Sequence, residues 1–453
     1  MRVRTIITIF ATLILTGFMA PILAQEISIP DPGLNAAIRD ALQKPVGPLT
    51  ERDLLGLISL IAGERDIRRT DGLEGALNVN FLDLGSNSLT NFSLPSALTN
   101  LQLLDVSFNS LTLCTIPRAM TNLDTLFLQG NLLTDFTLPA GLTGLRDLDL
   151  SINGLTSFTL PLGTTNLASL TLFANQLTNV TLPSDLDHLG NLDLEANRLS
   201  DLRFPSDLTN LSTLILRGNQ LTDLSFPEDM TNLTFVDIGE NQLAYLTMPA
   251  PLPHLNFLRL TTNRLTNLVL PSGMTNLEAI FLTGNQLTNL TLASGLTNLA
   301  QLDLRGNQLA TLTLPPDLFR LSTIALDGNP LTTLILSETQ AATKMAAFVT
   351  TLRTQGVSVI TYPETVHLTS PRLAATGGFD FTLTGPPGVY RIIFSTNLVD
   401  WNKLNADPVT NTIGSALFTD PEASLSPQKF YSAFQSIDIP RGGGIPFLHV
   451  RTR

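Results

Sequence analysis

Hydrophobic and polar positions repeat along most of this chain with a period of 22 residues. In each of twelve copies, aliphatic residues stand five and three positions before an asparagine, and a leucine stands two positions after it. The segment with the two aliphatic residues alternates apolar and polar side chains, which predicts a short half-buried strand in every copy. Such a strict period over so many copies predicts a solenoid of stacked coils. The recurring asparagines are Asn87, Asn109, Asn131, Asn153, Asn175, Asn197, Asn219, Asn241, Asn263, Asn285, Asn307 and Asn329.

These asparagines are predicted to have a structural role and not to bind a ligand. After each strand the chain must turn inside the stack, where water cannot reach its backbone. An amide side chain both donates and accepts hydrogen bonds, so a column of asparagines can satisfy its own and adjacent turns. One period earlier, Arg65 holds the same position in a degenerate copy. The thirteen resulting strands, spaced about 4.8 Å apart, would form an inner face roughly 60 Å long.

The second half of each copy is predicted to be a short strand or an extended turn, and not a helix. Apolar residues stand five and seven positions after the asparagine, and proline follows in ten of the twelve copies. Proline lacks a backbone donor and ends the segment. Cys114 stands at the first of these apolar positions. A buried thiol there acts as a small hydrophobe, and a single cysteine forms no internal disulfide.

The full pattern, LxxLxLxxNxL, resembles that of the leucine-rich repeat family over roughly residues 55–337. The resemblance implies a mainly β solenoid in the form of a horseshoe, with a parallel sheet on its concave face. An open stack exposes apolar faces at both ends and needs caps. Asp31-Pro32 and Thr50 predict helix starts in an N-terminal cap. Ser337-Glu338-Thr339-Gln340 predicts a helix that continues to about Thr354 in a C-terminal cap, and residues 357–362 predict a closing strand.

Beyond the repeats, the 22-residue period disappears and apolar runs alternate with Gly/Pro turns, which predicts a small β domain. The runs YRIIFSTNLVDWNKL and FTDPEASLSPQKFYSAF resemble a small β module appended to many exported bacterial proteins. We therefore divide the chain into a signal peptide at 1–24, a helical N-terminal cap at 27–56, leucine-rich repeats at 57–337, a C-terminal cap at 338–362, a linker at 363–372, the small β domain at 373–436 and a flexible tail at 437–453.

The N-terminus predicts export. Arg2 and Arg4 precede an apolar run, and Ala24 offers a small residue for cleavage before Gln25. A membrane anchor is the alternative, because the run from Thr5 is 19 residues long. We expect a cleaved signal and a protein that is secreted or held on the bacterial cell surface, without a membrane span after cleavage.

Composition narrows the possible partners. The chain of 453 residues is 43% hydrophobic and 14% charged, which excludes disorder for most of it. Its formal charge of −12 argues against nucleic acid as a partner. The four histidines are scattered, and no metal-spaced His/Cys cluster or nucleotide-binding loop is present in the sequence. We therefore expect no catalytic residues, no metal and no cofactor.

Two groups of residues on the predicted concave face could bind a ligand. Six aspartates stand four positions before the asparagine and could attract calcium or a cationic ligand, although aspartate is common there in the repeat consensus: Asp83, Asp105, Asp149, Asp193, Asp237 and Asp303. A mixed cluster, predicted to fall on five adjacent strands, is typical of a protein interface or a sugar platform. It comprises Phe235, Asp237, Phe257, Arg259, Phe281, Asp303 and Arg305.

The sequence thus predicts a non-enzymatic binding or scaffold protein that recognises a protein or glycan ligand through the concave face. A structural or adhesive cell-surface component, in which the C-terminal β module makes the contacts, is the alternative function. Neither the composition nor the repeat identifies the ligand.

Overall fold

The computed structural model describes residues 26–248, 252–373, 378–404, 407–423 and 428–435. The predicted signal peptide and the predicted tail lie outside these residues. The described helices are Pro32–Ala41, Glu51–Leu54, Glu338–Ala342 and Ala346–Thr354, with one 3₁₀ turn at Leu73–Gly75. None of them has the length and apolar character needed to span a lipid bilayer.

A parallel sheet of thirteen strands forms the inner side of the solenoid, as the alternating pattern predicts. Each strand pairs with residues 22 positions away, so that Phe235 lies opposite Phe257 and Asp237 opposite Arg259. The central residue of each strand is buried in the core, except for Ile324 in the last strand, which is half-buried and packs against the core. The inner strands are Ser59–Ile61, Phe81–Asp83, Leu103–Asp105, Thr125–Phe127, Asp147–Asp149, Ser169–Thr171, Asn191–Asp193, Thr213–Ile215, Phe235–Asp237, Phe257–Arg259, Ala279–Phe281, Gln301–Asp303 and Thr323–Ala325.

Short strands also occur on the outer side, and no described outer segment of the repeats is an α-helix, as predicted. They are Asn91–Ser93 with Leu113–Thr115, Ser157–Thr159 with Asn179–Thr181, Asn267–Val269 with Asn289–Thr291, and Thr311–Thr313 with Thr333–Ser337. Cys114 lies at the buried middle of one of them with 8% of its surface exposed, and burial raises the pKa of its thiol to about 12. It is therefore a protonated core residue at neutral pH.

One continuous apolar core runs along the stack from Ile29 to Val357. Most of its leucines have no exposed surface. Each coil therefore buries its apolar side chains against the coils before and after it, and the stack has no globular centre. Burial of one such side chain contributes about 2 kcal/mol, most of which chain entropy cancels.

The residue just before each of the twelve asparagines has a left-handed backbone. Glycine occupies this position in five copies, for example Gly130 and Gly218. Larger residues occupy the other seven, including Phe108 and Ile152, with φ values of 50° and 52°. Each larger residue costs about 1–2 kcal/mol in this conformation. The turn after the inner strand is therefore strained, and other contacts must hold it.

Both caps are present, and the C-terminal one differs from its prediction. Asp31 and Thr50 accept hydrogen bonds from the first turns of the N-terminal helices, and Ser337 begins a capping box with Gln340. The predicted single helix after Ser337 is wrong, because the chain breaks at Thr343, which has ψ −112°, and forms two helices. The closing strand Ser358–Tyr362 pairs in parallel with Thr333–Ser337.

The described part of the C-terminal module contains two small antiparallel sheets. The first contains His367–Leu373, Phe379–Thr384 and Ser415–Asp420, and the second contains Gly388–Ser395, Asn402–Lys403, Val409–Asn411 and Phe430–Gln435. The predicted linker at 363–372 is therefore wrong from residue 367 onward. A register shift between Thr369 and Arg372 accommodates Pro371, which has no backbone N–H to donate to the neighbouring strand.

Candidate binding face

The predicted asparagine column forms a continuous ladder of hydrogen bonds. Each Oδ1 accepts the backbone N–H of the residue 20 positions earlier, and each Nδ2 donates to carbonyls 25 and 3 positions earlier. Eight of the twelve are only 5–8% exposed. Every side-chain amide of this column thus forms hydrogen bonds with backbone groups of two coils. We call these residues the ladder asparagines.

A second asparagine column, whose role the sequence analysis missed, lies 13 positions after the first. At seven asparagines of this column, which we call the edge asparagines, Nδ2 donates to the carbonyl 23 residues earlier, on the preceding coil, and the bonds are exposed. His188 takes the same place with Nδ1 3.0 Å from the Thr165 carbonyl oxygen. The recurring Leu-Thr-Asn triplet in the sequence could have indicated this second column. The edge asparagines are Asn78, Asn100, Asn122, Asn166, Asn210, Asn232 and Asn298.

The six aspartates of the inner strands have a local structural role. In each of them Oδ1 accepts the backbone N–H of the residue two positions later. Burial, together with the neighbouring charge of Asp105, raises the pKa of Asp83, and burial and Asp149 do the same for Asp193. Among the described residues, no three His, Cys, Asp or Glu side chains meet in the way that a metal site requires.

Two phenylalanines of the predicted cluster present adjacent rings on the concave face. Phe235 and Phe257 lie opposite each other on neighbouring strands, with ring centroids 6.2 Å apart and planes tilted by 41°. Phe257 is 39% exposed. An aromatic pair held this close on a sheet offers a large apolar contact area at little cost in side-chain entropy.

Arg259 joins this pair to the next strand. Its Nη1 lies 3.2 Å from Oδ2 of Asp237, and its guanidinium carbon lies 5.2 Å from the centroid of the Phe281 ring. Asp237 is 4% exposed, so its carboxylate supports the guanidinium from beneath. The ion pair and the cation–π contact together fix the arginine between two strands.

Asp303 and Arg305 form a separate pair within one coil. The Nε of Arg305 lies 2.9 Å from Oδ1 of Asp303. Burial opposes ionisation of Asp303, but its hydrogen bonds with Arg305 and Thr283 outweigh that effect and lower its pKa. The cluster therefore lies on four adjacent strands and not on five, because Asp303 and Arg305 belong to the same coil.

A third ionic group, which the sequence analysis missed, flanks the cluster. The guanidinium of Arg217 lies 3.4 Å from Glu195 and 2.5 Å from Glu240. Burial is the main cause of a raised pKa at Glu195. The charges stand on neighbouring coils at the ends of inner strands, a placement that the period alone could have indicated.

Comparison with known families and structures agrees with this architecture. A family model of leucine-rich repeats matches residues 209–249, and a model of the BspA-type leucine-rich repeat region matches residues 84–169 and 256–355. The solenoid is made of leucine-rich repeats. No curated protein matches the chain.

Solved structures share the leucine-rich repeat fold. The functional domain of InlJ from Listeria monocytogenes, which includes a cysteine ladder, is 18% identical with a TM-score of 0.56, over 79% of this chain and 94% of that one. An internalin, InlF, from the same organism is 25% identical with a TM-score of 0.49, over 65% and 95%. The Leptospira interrogans leucine-rich repeat protein LIC12759 is 27% identical with a TM-score of 0.46, over 68% and 86%.

Proposed function

We propose that this leucine-rich repeat protein binds a polypeptide partner through the concave face of its later coils, without catalysis. The observation that carries the proposal is the arrangement of Phe235, Phe257, Arg259 and Phe281, a partly exposed aromatic surface in which the arginine is already fixed in place. Aromatic residues and arginine supply most of the binding energy at protein interfaces. Since the surface is preorganised, little side-chain entropy is lost on binding.

The test uses the purified full chain as bait for proteins of the native growth medium, followed by affinity measurement with the captured partner. Replacement of Phe257 by alanine should weaken binding by about 2 kcal/mol, or about 30-fold. Arg259→Ala should have a comparable effect because it also removes the support of the Phe281 face. Phe319→Ala is the matched control, since Phe319 is 64% exposed but lies in a turn outside the concave face. Equal affinities of the Phe257 variant and the wild type would contradict the proposal.

A glycan ligand for the same surface is the competing outcome. In that case, the captured partner would no longer bind this protein after its carbohydrate is removed enzymatically, but it would still bind after proteolysis. The proposal requires the reverse result. The two treatments therefore separate the two ligand classes without changing the protein.

The C-terminal module offers a second candidate function as an adhesive element. Leu417 and Val399, in different parts of the module, are 60% and 77% exposed, so the module leaves large apolar side chains at its surface. Because the strand His367–Leu373 belongs to the module, a deletion that tests it should remove 363–453 and not 373–453. Loss of surface attachment in this variant, with an intact solenoid, would favour the adhesive function over binding by the concave face.

The proposal also places the protein outside the cytoplasm, secreted or on the cell surface. Its support is the N-terminal segment with Arg2, Arg4, an apolar run and Ala24. N-terminal sequencing of the exported protein should begin at Gln25, and an uncleaved N-terminus would argue for the membrane anchor instead.

A further inference from the structure

An open groove with a volume of about 690 Å³ lies far from the aromatic cluster, on the edge where the chain enters the early inner strands. Four polar side chains, one from each of four successive coils, line it: Asn80, Gln102, Asp124 and Arg146. Phe81 and Leu103, both half-buried, add an apolar part to its lining. We call this site the rim groove.

The four polar residues form a regular row. The backbone N–H of Gln102, Asp124 and Arg146 each donates to the carbonyl 22 residues earlier, so the stack fixes the spacing of the row at about 4.8 Å. On the following coils the same position holds small side chains, namely Ala168, Gly190, Ser212 and Thr234. The row of four long polar side chains in the rim groove therefore ends at Arg146, and such side chains return at this position only at Asn256 and Glu278, on later coils.

A break in the edge asparagines also lies in the rim groove. Gly144 stands where the neighbouring coils have Asn122 and Asn166. A Cβ at this position would lie only 2.6 Å from the carbonyl oxygen of Thr121, so no side chain fits. Gly144 and Thr121 both line the groove, and the missing asparagine side chain leaves open space between the two flanking amides.

The side chains of the row have the hydrogen-bonding chemistry that hydroxyl groups need. Each sugar hydroxyl both donates and accepts a hydrogen bond. The row offers both kinds of partner, because amides donate and accept, a carboxylate accepts and a guanidinium donates. Asp124 and Arg146 are joined at 3.3 Å between Oδ2 and Nε, but their side chains are 46% and 66% exposed. An exposed pair of this kind is weak, so a ligand can replace it at little cost.

We propose that the rim groove binds a neutral oligosaccharide chain, with about one sugar unit per coil. The groove is lined by residues of five coils, a span of about 19 Å, and the repeat of an extended β-linked hexose chain is comparable to the coil spacing. Asp124 and Arg146 balance each other, which favours an uncharged chain. A peptide fits less well, because the backbone donors of the row are already bonded within the stack and the groove has no closed apolar pocket. This site is independent of the proposed partner surface.

The test titrates the full chain with β-linked glucose and N-acetylglucosamine oligomers, from disaccharide to hexasaccharide, by isothermal calorimetry. One of the two series should bind saturably, with an affinity that rises with length up to about four or five units. Asp124→Ala should lower the affinity about 10-fold, as should Gln102→Ala with Arg146→Ala. Glu278→Ala is the matched control, since Glu278 is an exposed charged residue at the same repeat position on a later coil, and its affinity should be unchanged.

Circular dichroism should show that the variants are folded, because Gln102 and Arg146 are exposed and Asp124 is only partly buried. No saturable binding of either series, or the same affinity in the wild type and Asp124→Ala, would overturn the proposal. The proposal would also be overturned if Asp124→Ala no longer bound a polypeptide partner and no variant bound either sugar series. The Phe257→Ala variant should bind the oligomers like the wild type, so failure of this site and failure of the concave-face proposal are distinguishable.

Discussion

The ladder asparagines and the edge asparagines repeat with the same 22-residue period, and both donate to carbonyl groups of the preceding coil. Their surroundings differ. Asn219 in the ladder is 7% exposed and engages backbone groups of two coils, whereas Asn232 at the edge is exposed and makes one such bond. The same side chain thus satisfies buried backbone groups at one position of the repeat and makes a solvent-exposed bond at the other.

Water explains the difference. When an exposed amide is removed, the carbonyl that loses its partner bonds to solvent, and the net loss is small. When a buried amide is removed, each orphaned backbone group pays its full desolvation cost. The ladder amides also lie next to the strained left-handed turns, so they hold a conformation that the chain would otherwise leave.

The largest expected effect comes from removing one ladder amide. Asn219→Ala orphans the Leu199 N–H. It also removes one of the two amide bonds that the Leu194 and Leu216 carbonyls each accept, and leaves those from Asn197 and Asn241. We expect the free energy of unfolding to fall by about 2–3 kcal/mol, measured by urea denaturation followed by circular dichroism. A loss below about 1 kcal/mol would mean that water enters the turn and that the two columns do not differ as described.

The comparison also shows which features the sequence could predict. The ladder was predictable, because an unbroken polar column next to buried leucines has to satisfy backbone groups. The edge bonds were not, because the distance from Asn232 to the Thr209 carbonyl depends on the pitch of the stack, and an exposed asparagine in a turn needs no partner.

The candidate binding face likewise has features that the sequence could predict and features that it could not. Adjacency of Phe235 and Phe257 followed from the period, because residues 22 positions apart face each other on parallel strands. The position of Arg259 between Asp237 and Phe281 did not follow, since its side chain could have pointed along either neighbouring strand. The rim groove was not predicted, because it depends on the absence of a side chain at Gly144. A repeat pattern is recognised from the residues that recur, so one glycine in a column of asparagines does not indicate a groove.

A smaller effect tests whether the ladder controls local opening. Cys114 lies in the coil between Asn109 and Asn131, and burial keeps its thiol protonated at pH 8, so a thiol reagent should reach it only when the coil opens. Asn131→Ala removes the acceptor of the Leu111 N–H and should speed labelling about 10-fold or more. Asn122→Ala, which removes only an edge bond to Thr99, should change the rate less than about 3-fold.

Mass spectrometry of the labelled protein gives both rates, and Cys114→Val supplies the unlabelled background, since Val180 shows that valine fits this position. Equal acceleration in the two asparagine variants would show that the edge bonds hold the coil as firmly as the ladder does.

The smallest expected effect comes from the edge itself. Asn232→Ala removes one exposed bond to the Thr209 carbonyl, which water can then solvate, so the free energy of unfolding should fall by at most about 1 kcal/mol. The measurement is the same urea denaturation as for Asn219→Ala. The double variant Asn210→Ala/Asn232→Ala should show the sum of the two single losses, because the two amides donate to different carbonyls, those of Asp187 and Thr209. A loss larger than the sum would mean that the edge asparagines act as a cooperative column, and exposure alone would then not separate them from the ladder.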